Sequence, residues 1–83
     1  MEKALDTKFK VGDLVLVYYV GFDIGKKNVG VITKRLDIQE IQDLVGPSPA
    51  AIQSYEQAGT FEVYDFEYKK RFVFHGEYLA LLS

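Results

Sequence analysis

Few side chains in this sequence could act as nucleophiles, metal ligands or acid–base catalysts. The chain has no cysteine and one histidine, His75, which excludes a disulfide framework, a thiolate nucleophile, a sulfur-ligated zinc site and any site built from several histidines. Asp65 and Glu67 lie two residues apart, as side chains on one face of a strand do, but paired catalytic carboxylates need a cleft that separates their roles. We therefore expect a protein that is not an enzyme and that holds no metal ion and no cofactor.

The residues that could instead form a binding surface are aromatic. Six tyrosines and six phenylalanines make up 14% of the 83 residues. Aromatic side chains favour strands and bury large areas, so they suit the core of a small sheet protein, but they also form binding surfaces. Core packing is the use that we expect for most of these rings. A cage around a methylated cation is a third use, and its candidate residues are Tyr18, Tyr19, Phe22 and Tyr68.

The length and the charge balance describe one small domain. Eighty-three residues leave no room for a second core, so residues 1–83 are predicted to form a single domain. No apolar run approaches the ~20 residues that a membrane-spanning helix needs. The net charge of −2 provides no overall positive field for nucleic acid. We expect a cytoplasmic protein with no membrane contact.

Five apolar segments rich in β-branched and aromatic residues predict a mainly β fold. Glycine or polar turn residues separate them, as is typical of short antiparallel strands. Gly30, inside the second segment, indicates a bulge or a sharp bend. The predicted strands span residues 14–20, 29–35, 60–67, 71–75 and 78–82.

The composition changes between the second and third predicted strands. Residues 36–57 contain four acids and no lysine or arginine. Apolar residues at spacings of three and four over residues 38–45 favour a short amphipathic helix. Ser48 and the proline after it predict the start of a second helix, which Gly59 ends. The whole segment, about 36–59, is interpreted as a helical insertion between two strands.

Residues at fixed spacings surround the loop between the first two predicted strands. They are Gly12, Asp13, Val15 and Val17, then Gly21, Gly25 and Lys26, then Gly30, Val31 and Ile32. This pattern resembles the KOW motif of small SH3-like barrels, in which a loop rich in glycine and lysine joins two strands. The resemblance implies a five-stranded SH3-like antiparallel barrel, with the short helical insertion between strands 2 and 3.

Four segments follow one another in a characteristic order, VGDLV at 11–15, GVIT at 30–33, FEVYDF at 61–66 and HGEYLALL at 75–82. This order is similar to that of the small SH3-like accessory proteins of tailed phages. The similarity covers residues 9–35 and 60–82. KOW-type domains bind RNA or proteins of the transcription and translation apparatus, and the similarity to the phage proteins implies binding to a host or virion protein in the host cytoplasm. Neither family function is catalytic. Because small barrels host many unrelated roles, the residues themselves have to indicate the function.

The first predicted strand is apolar on both faces, although a half-exposed strand should be polar on one. Either the outer face binds a partner or a second copy of the chain, which would give a homodimer, or the helices cover it with Ile38, Ile41, Ile52 and Tyr55. We predict a non-enzymatic module that binds another protein. The aromatic strand surface and the acidic insertion supply its candidate residues, which are Tyr19, Phe22, Asp37, Glu40, Asp43, Tyr55, Tyr64, Phe66 and Tyr68.

The alternative is a KOW-type contact with nucleic acid or a ribonucleoprotein. Basic residues near the predicted turns could converge, with aromatic rings between them for base stacking. The simpler interpretation is a set of solvated charges that discourage edge pairing, and a pI of 5.3 favours protein over nucleic acid as the partner. The candidate residues for this alternative are Lys26, Lys27, Lys34, Arg35, Lys69, Lys70 and Arg71.

Overall fold

The described part of the chain is mainly β, with five strands and two helices. A computed structural model describes residues 9–21 and 24–82. A 3₁₀ turn, Gly76–Tyr78, precedes the last strand. Within the described residues, neither helix has the length and apolar character needed to cross a membrane. In chain order the elements are β1 (Leu14–Tyr18), β2 (Lys27–Arg35), α1 (Ile38–Val45), α2 (Pro49–Ala58), β3 (Thr60–Asp65), β4 (Lys70–His75) and β5 (Leu79–Leu81).

All five strands form one antiparallel sheet in the order β4-β3-β2-β1-β5. β1 to β4 pair consecutively, and β5 returns to the free side of β1, where Ala80 lies opposite Leu16. β4 and β5 are the two edges, and the described strands form an open sheet. The expected five antiparallel strands are confirmed, while the strand pairing does not close the sheet into a barrel.

The close approach of β3 to β2 depends on Gly30. A Cβ atom at this position would lie 2.6 Å from the carbonyl oxygen of Tyr64 and 2.7 Å from Cγ1 of Val63. The irregularity in the pairing of these strands lies at Thr33 and not at Gly30. Thr33 is held there by its hydroxyl, which donates to the carboxylate of Glu62 (2.8 Å). The glycine at position 30 therefore indicates a close approach of two backbones. The predicted bulge at Gly30 is wrong, since the irregularity lies at Thr33, where the sequence has no glycine.

The inner face of the sheet carries the hydrophobic core. Val15 and Val17 are fully buried on alternate positions of β1, and Tyr19 follows on the same side. The ring of Phe61 lies 5.5 Å from that of Phe9 in edge-to-face geometry, the arrangement that aromatic quadrupoles prefer. The other buried members of this core are Ile32, Val63 and Leu79.

Both helices begin and end where their terminal residues predict. Asp37 accepts a hydrogen bond from the N–H of Glu40 (2.8 Å), and the Glu40 carboxylate accepts one from the N–H of Asp37 (3.0 Å). This reciprocal pair is a capping box. Gly46 follows the last residue of α1 with a φ of 86°, and Ser48 caps α2 through the N–H of Ala51 (3.4 Å). Local capping chemistry therefore explains both helices.

The outer face of the sheet is apolar and open to solvent. Leu14, Val31 and Tyr64 are cross-strand neighbours in one row on this face, and Leu16 and Val29 are neighbours in the next. Leu14 is 38% exposed and Val29 is 41% exposed. The helices had been one of two expected covers for this face. α2 packs against one end of it, where Tyr55 contacts His75 of β4, and leaves Leu14 and Val29 exposed. Because β1 is apolar on both faces, its outer face leaves apolar side chains exposed to water.

Candidate functional site

A groove of about 630 Å³ opens between the helices and one edge of the sheet. It is lined by residues 18–21, which begin with the last residue of β1, by both helices, by the start of β3, by the end of β4 and by the 3₁₀ turn. Because these parts are far apart in the sequence, no short motif marks the groove. Its lining is mostly apolar or aromatic and includes Tyr18, Val20, Leu44, Val45, Ala51, Tyr55, Val73, Phe74 and Tyr78.

His75 connects the sheet wall of the groove to the helical wall. Its ring packs edge-to-face against Tyr55 of α2, with centroids 4.8 Å apart, and lies 6.1 Å from the ring of Tyr78. Its Nδ1 accepts a hydrogen bond from the N–H of Glu77 (3.2 Å), so a neutral ring carries its proton on Nε2. These contacts fix the imidazole as a packing residue that orients the two tyrosine rings.

The helical wall lies directly against the 3₁₀ turn because Gly76 has no side chain. A Cβ atom there would overlap the carbonyl oxygen of Ala58 and lie 3.2 Å from that of Gly59. The N–H of Gly76 donates to the carbonyl of Gly59 (2.8 Å). The hydroxyl of Thr60 donates to the carbonyl of Tyr55 (3.0 Å). These bonds hold α2 to the sheet and so determine the width of the groove.

Replacing Gly76 with alanine is expected to push α2 from the sheet and to lower the free energy of unfolding by about 1–3 kcal/mol, the usual cost of overpacking. The atom in the way belongs to the backbone of Ala58 and cannot rotate aside. Urea unfolding followed by circular dichroism measures the loss. Gly21→Ala is the matched control, since a Cβ atom at Gly21 meets nothing within 4 Å. Equal losses in the two variants would contradict the prediction.

A buried carboxylate, Asp65, is the last residue of β3. One of its oxygens accepts hydrogen bonds from the Tyr19 hydroxyl and from the Asn28 amide (2.9 Å), and the other accepts the N–H groups of Glu67 and Tyr68, both at 2.8 Å. Burial by itself raises the pKa of Asp65, but these four donors outweigh it and hold the pKa below its usual value. Burial and the bond to Asp65 also raise the pKa of Tyr19. The carboxylate therefore holds the β3–β4 turn and joins it to Tyr19 and Asn28.

The aromatic residues predicted to bind protein are divided between two surfaces and the core. Tyr55 lines the groove, whereas Tyr64 and Phe66 lie outside it, with ring centroids 5.7 Å apart. Tyr19 is only 4% exposed, so it supports the groove and offers little surface to a partner. Phe22 lies outside the described residues.

The three acidic candidates on and before α1 are engaged within the fold. Asp37 and Glu40 form the capping box, and Glu40 also pairs with Lys34. The hydrogen bond from Lys34 lowers the pKa of Glu40. Asp43 accepts a hydrogen bond from the side chain of Gln39 one turn earlier (3.2 Å). These contacts stabilise the helix, and none of the three carboxylates lines the groove.

The seven basic candidates are spread over the length of the sheet. Lys34 and Arg35 lie at one end of β2, a nine-residue strand that spans roughly 30 Å. Arg71 lies at the β4 edge, 3.9 Å from the carboxylate of Glu62. The other four lie at the opposite end, where the β1–β2 and β3–β4 connections meet, and are Lys26, Lys27, Lys69 and Lys70.

Carboxylates neutralise part of this positive charge. Lys26 pairs with Glu67 (2.8 Å), and Lys34 pairs with Glu40. The ammonium group of Lys26 also lies 5.8 Å from the ring centroid of Tyr68. Tyr68, the last of the residues predicted to bind protein, is half-buried. A phosphate backbone would therefore meet less positive charge than the sequence indicates.

Sequence reasoning missed most of the aliphatic groove residues. Val20 and Leu44 are 53% and 52% exposed, and Val73 is 42% exposed. Val73 did carry a signal, because Phe72, Val73 and Phe74 put apolar side chains on both faces of an edge strand. Val20 and Leu44 carried none, since they approach each other only after α1 folds back towards the segment that follows β1.

The chain matches no protein-family model, no curated protein and no solved structure. Its function therefore has to be inferred from the groove, the outer face of the sheet and the charges around them.

Proposed function

We propose that this protein is a non-enzymatic protein-binding module that holds a short apolar segment of another protein in the groove. The observation that carries the proposal is the meeting of aromatic rings from separate segments around one trough of about 630 Å³. Aromatic residues are enriched at protein interfaces because they bury large rigid areas at a low cost in conformational entropy. The hydroxyl groups of Tyr18, Tyr55 and Tyr78 supply polar ends that suit a bound backbone.

Exposed aliphatic side chains around the groove support the same function. Val20, Leu44 and Val73 are partly in contact with water, and contiguous apolar patches on small soluble domains often mark binding sites. Burying such side chains contributes about 25 cal/mol per Å² of apolar area, which offsets part of the entropy lost on association. The groove is therefore suited to apolar side chains of a partner.

Nucleic acid is the alternative partner, and the arrangement of the basic residues supports it less well. Lys34 and Arg35 lie far from the lysines at the opposite end of the sheet, and Lys26 and Lys34 already pair with carboxylates. The two hypotheses differ in their response to salt. Binding through phosphate contacts weakens steeply as salt rises, whereas binding in an apolar groove does not.

The fold that we propose for this binding module follows from its resemblance to SH3-like barrels. We propose an SH3-like arrangement in which α1 and α2 are a helical insertion between strands 2 and 3, supported by the strand order β4-β3-β2-β1-β5. The similarity to accessory proteins of tailed phages favours a host or virion protein as the partner and the host cytoplasm as the location. A homodimer through the exposed outer face of the sheet is the competing assembly.

Binding is expected to depend on the groove and not on the outer face. Leu44→Asp places a carboxylate without a partner in the groove and should lower the amount of captured partner about tenfold or more, equivalent to about 1.4 kcal/mol. Val29→Asp is the matched control, because it introduces the same charge on the outer face at a similar exposure. The measurement is affinity capture from a bacterial lysate with each folded variant immobilised, with and without nuclease.

Three results would contradict this proposal. Capture that disappears after nuclease treatment would identify nucleic acid as the partner. A partner lost with Val29→Asp but retained with Leu44→Asp would identify the outer face as the binding surface. A dimer in solution that Val29→Asp dissociates, with no other captured protein, would identify a second copy of the chain as the occupant of that face.

A further inference from the structure

The edge strand β4 has one side that β3 does not use. Hydrogen bonds in an antiparallel pair involve every second residue of each strand. The N–H of Gly76 donates to the carbonyl of Gly59 (2.8 Å), so Phe74 and Phe72, at the same parity, also direct their backbone groups towards β3. The residues between them direct theirs to the open side, and these are Arg71, Val73 and His75.

This open side of β4 borders the groove. Val73, Phe74 and His75 line it, and among residues 9–21 and 24–82 no backbone group bonds to the outward side of β4. Such an edge is a template for pairing with another chain. The opposite edge, β5, has three residues, whereas β4 has six. β4 therefore offers the longer template, and it is the one beside the groove.

The side chains of β4 determine what kind of strand would fit beside it. An added strand would place alternate side chains against the half-buried rings of Phe72 and Phe74, and the others against Arg71 and Val73 on the outer face. The side chain of Arg71 is 65% exposed, and its contact with Glu62 is long, at 3.9 Å. Opposite charges on neighbouring strands stabilise a pair and like charges destabilise it. The edge therefore favours an apolar strand with an acidic residue beside Arg71.

We propose that the partner adds an extended segment to the open edge of β4, with apolar residues at alternate positions and an acidic residue beside Arg71. This inference rests on the proposed function, because it states how the segment in the groove is held. Backbone groups of Arg71, Val73 and His75 bond to the segment, and the helical wall packs against its apolar side chains. The same edge of a second copy fits this description poorly, because β4 carries no acidic residue that could lie beside Arg71.

Val73→Pro tests the proposal, because it removes the central outward N–H and leaves the ladder to β3 intact. Proline is tolerated at such edge positions. Val73→Ala is the control, since it shortens the same side chain and keeps the N–H. The probe is a synthetic peptide, selected for binding to the wild-type protein from a displayed library of random sequences. We expect Val73→Pro to weaken peptide binding about tenfold or more and Val73→Ala to weaken it only about threefold, measured by fluorescence anisotropy on folded variants.

Amide hydrogen exchange of the wild-type protein gives a second readout that does not depend on any variant. The peptide should protect the amides of Arg71, Val73 and His75, which the sheet leaves unbonded. Equal affinities of the two Val73 variants, without added protection, would overturn strand addition. If Leu44→Asp still weakens binding of that peptide, the proposal of binding in the groove stands. If neither Leu44→Asp nor Val73→Pro weakens peptide binding, both proposals fail. They also fail if no peptide is selected. If Arg71→Glu leaves the affinity for the peptide unchanged, the proposal that the segment has an acidic residue beside Arg71 is wrong.

Discussion

Replacing Asp65 with alanine is expected to remove a large part of the stability of this protein. The substitution leaves the Tyr19 hydroxyl and the Asn28 amide in the core without their acceptor and also frees two N–H groups of the β3–β4 turn. A buried polar group without a partner costs about 1–3 kcal/mol, so we expect a total loss of about 3–5 kcal/mol. A domain of 83 residues has a free energy of unfolding of roughly 4–12 kcal/mol.

Urea unfolding of the variant and the wild type measures this loss. Glu67→Ala is the control, since Glu67 is an exposed carboxylate whose ion pair with Lys26 contributes at most about 1 kcal/mol. Asp65→Asn should fall between the two, because an amide keeps one acceptor oxygen but cannot accept all four hydrogen bonds. A loss for Asp65→Ala no larger than that of the control would show that this cluster does not hold the turn.

The same carboxylate makes the stability depend on pH. The pKa of Asp65 is lower in the folded protein than its unfolded value of about 3.9. Its contribution is therefore complete above that value and is lost as the pH falls through the folded pKa. We expect the urea midpoint to decrease from about pH 4 downward. Asp65→Asn should lack this part of the decrease, because an amide does not titrate.

Replacing Phe61 with alanine is the second change with a large expected effect, a loss of about 3–5 kcal/mol in the free energy of unfolding. Phe61 is fully buried near the start of β3. Its ring packs against Phe9 and beneath the guanidinium of Arg35, which lies 5.7 Å from the ring centroid. Truncation leaves a cavity that the surrounding strands cannot fill. Thermal and urea unfolding measure the loss.

Phe66→Ala is the matched control for this core substitution. Phe66 belongs to the same hairpin but is 45% exposed, so its truncation should cost less than about 1 kcal/mol. A loss at Phe66 comparable to that at Phe61 would contradict the description of the outer face as open. Such a result, combined with a concentration-dependent midpoint, would indicate that this face is buried between two copies of the chain.

The secondary structure was predictable because the signals that specify it act within a few residues. Asp37 and Ser48 cap helices through N–H groups three residues ahead, and Gly59 follows the last residue of α2. The run of β-branched and aromatic residues that contains Val15 and Val17 indicated a strand in the same local way. The predicted strand ends differ from the observed ones by up to two residues, since pairing with neighbouring strands decides where a strand ends.

The candidate site was less predictable, because contacts between distant residues determine it. Tyr19 was predicted to belong to a protein-binding surface of the first strand, yet its hydroxyl bonds to Asp65, 46 residues away, and this bond places it in the core. The alternative hypothesis required the basic residues to converge, but Lys34 meets a carboxylate of α1, so part of the positive charge is neutralised.

The sequence by itself determined that this chain is mainly β, with two helices between its second and third strands. Only the tertiary structure decided which rings are buried, that the outer face stays in water, and that Val20, Leu44 and Val73 border one groove. The physical reason is the range of the interactions. Caps, turns and alternating side chains act between near neighbours, whereas burial depends on strand register and on where a helix folds back.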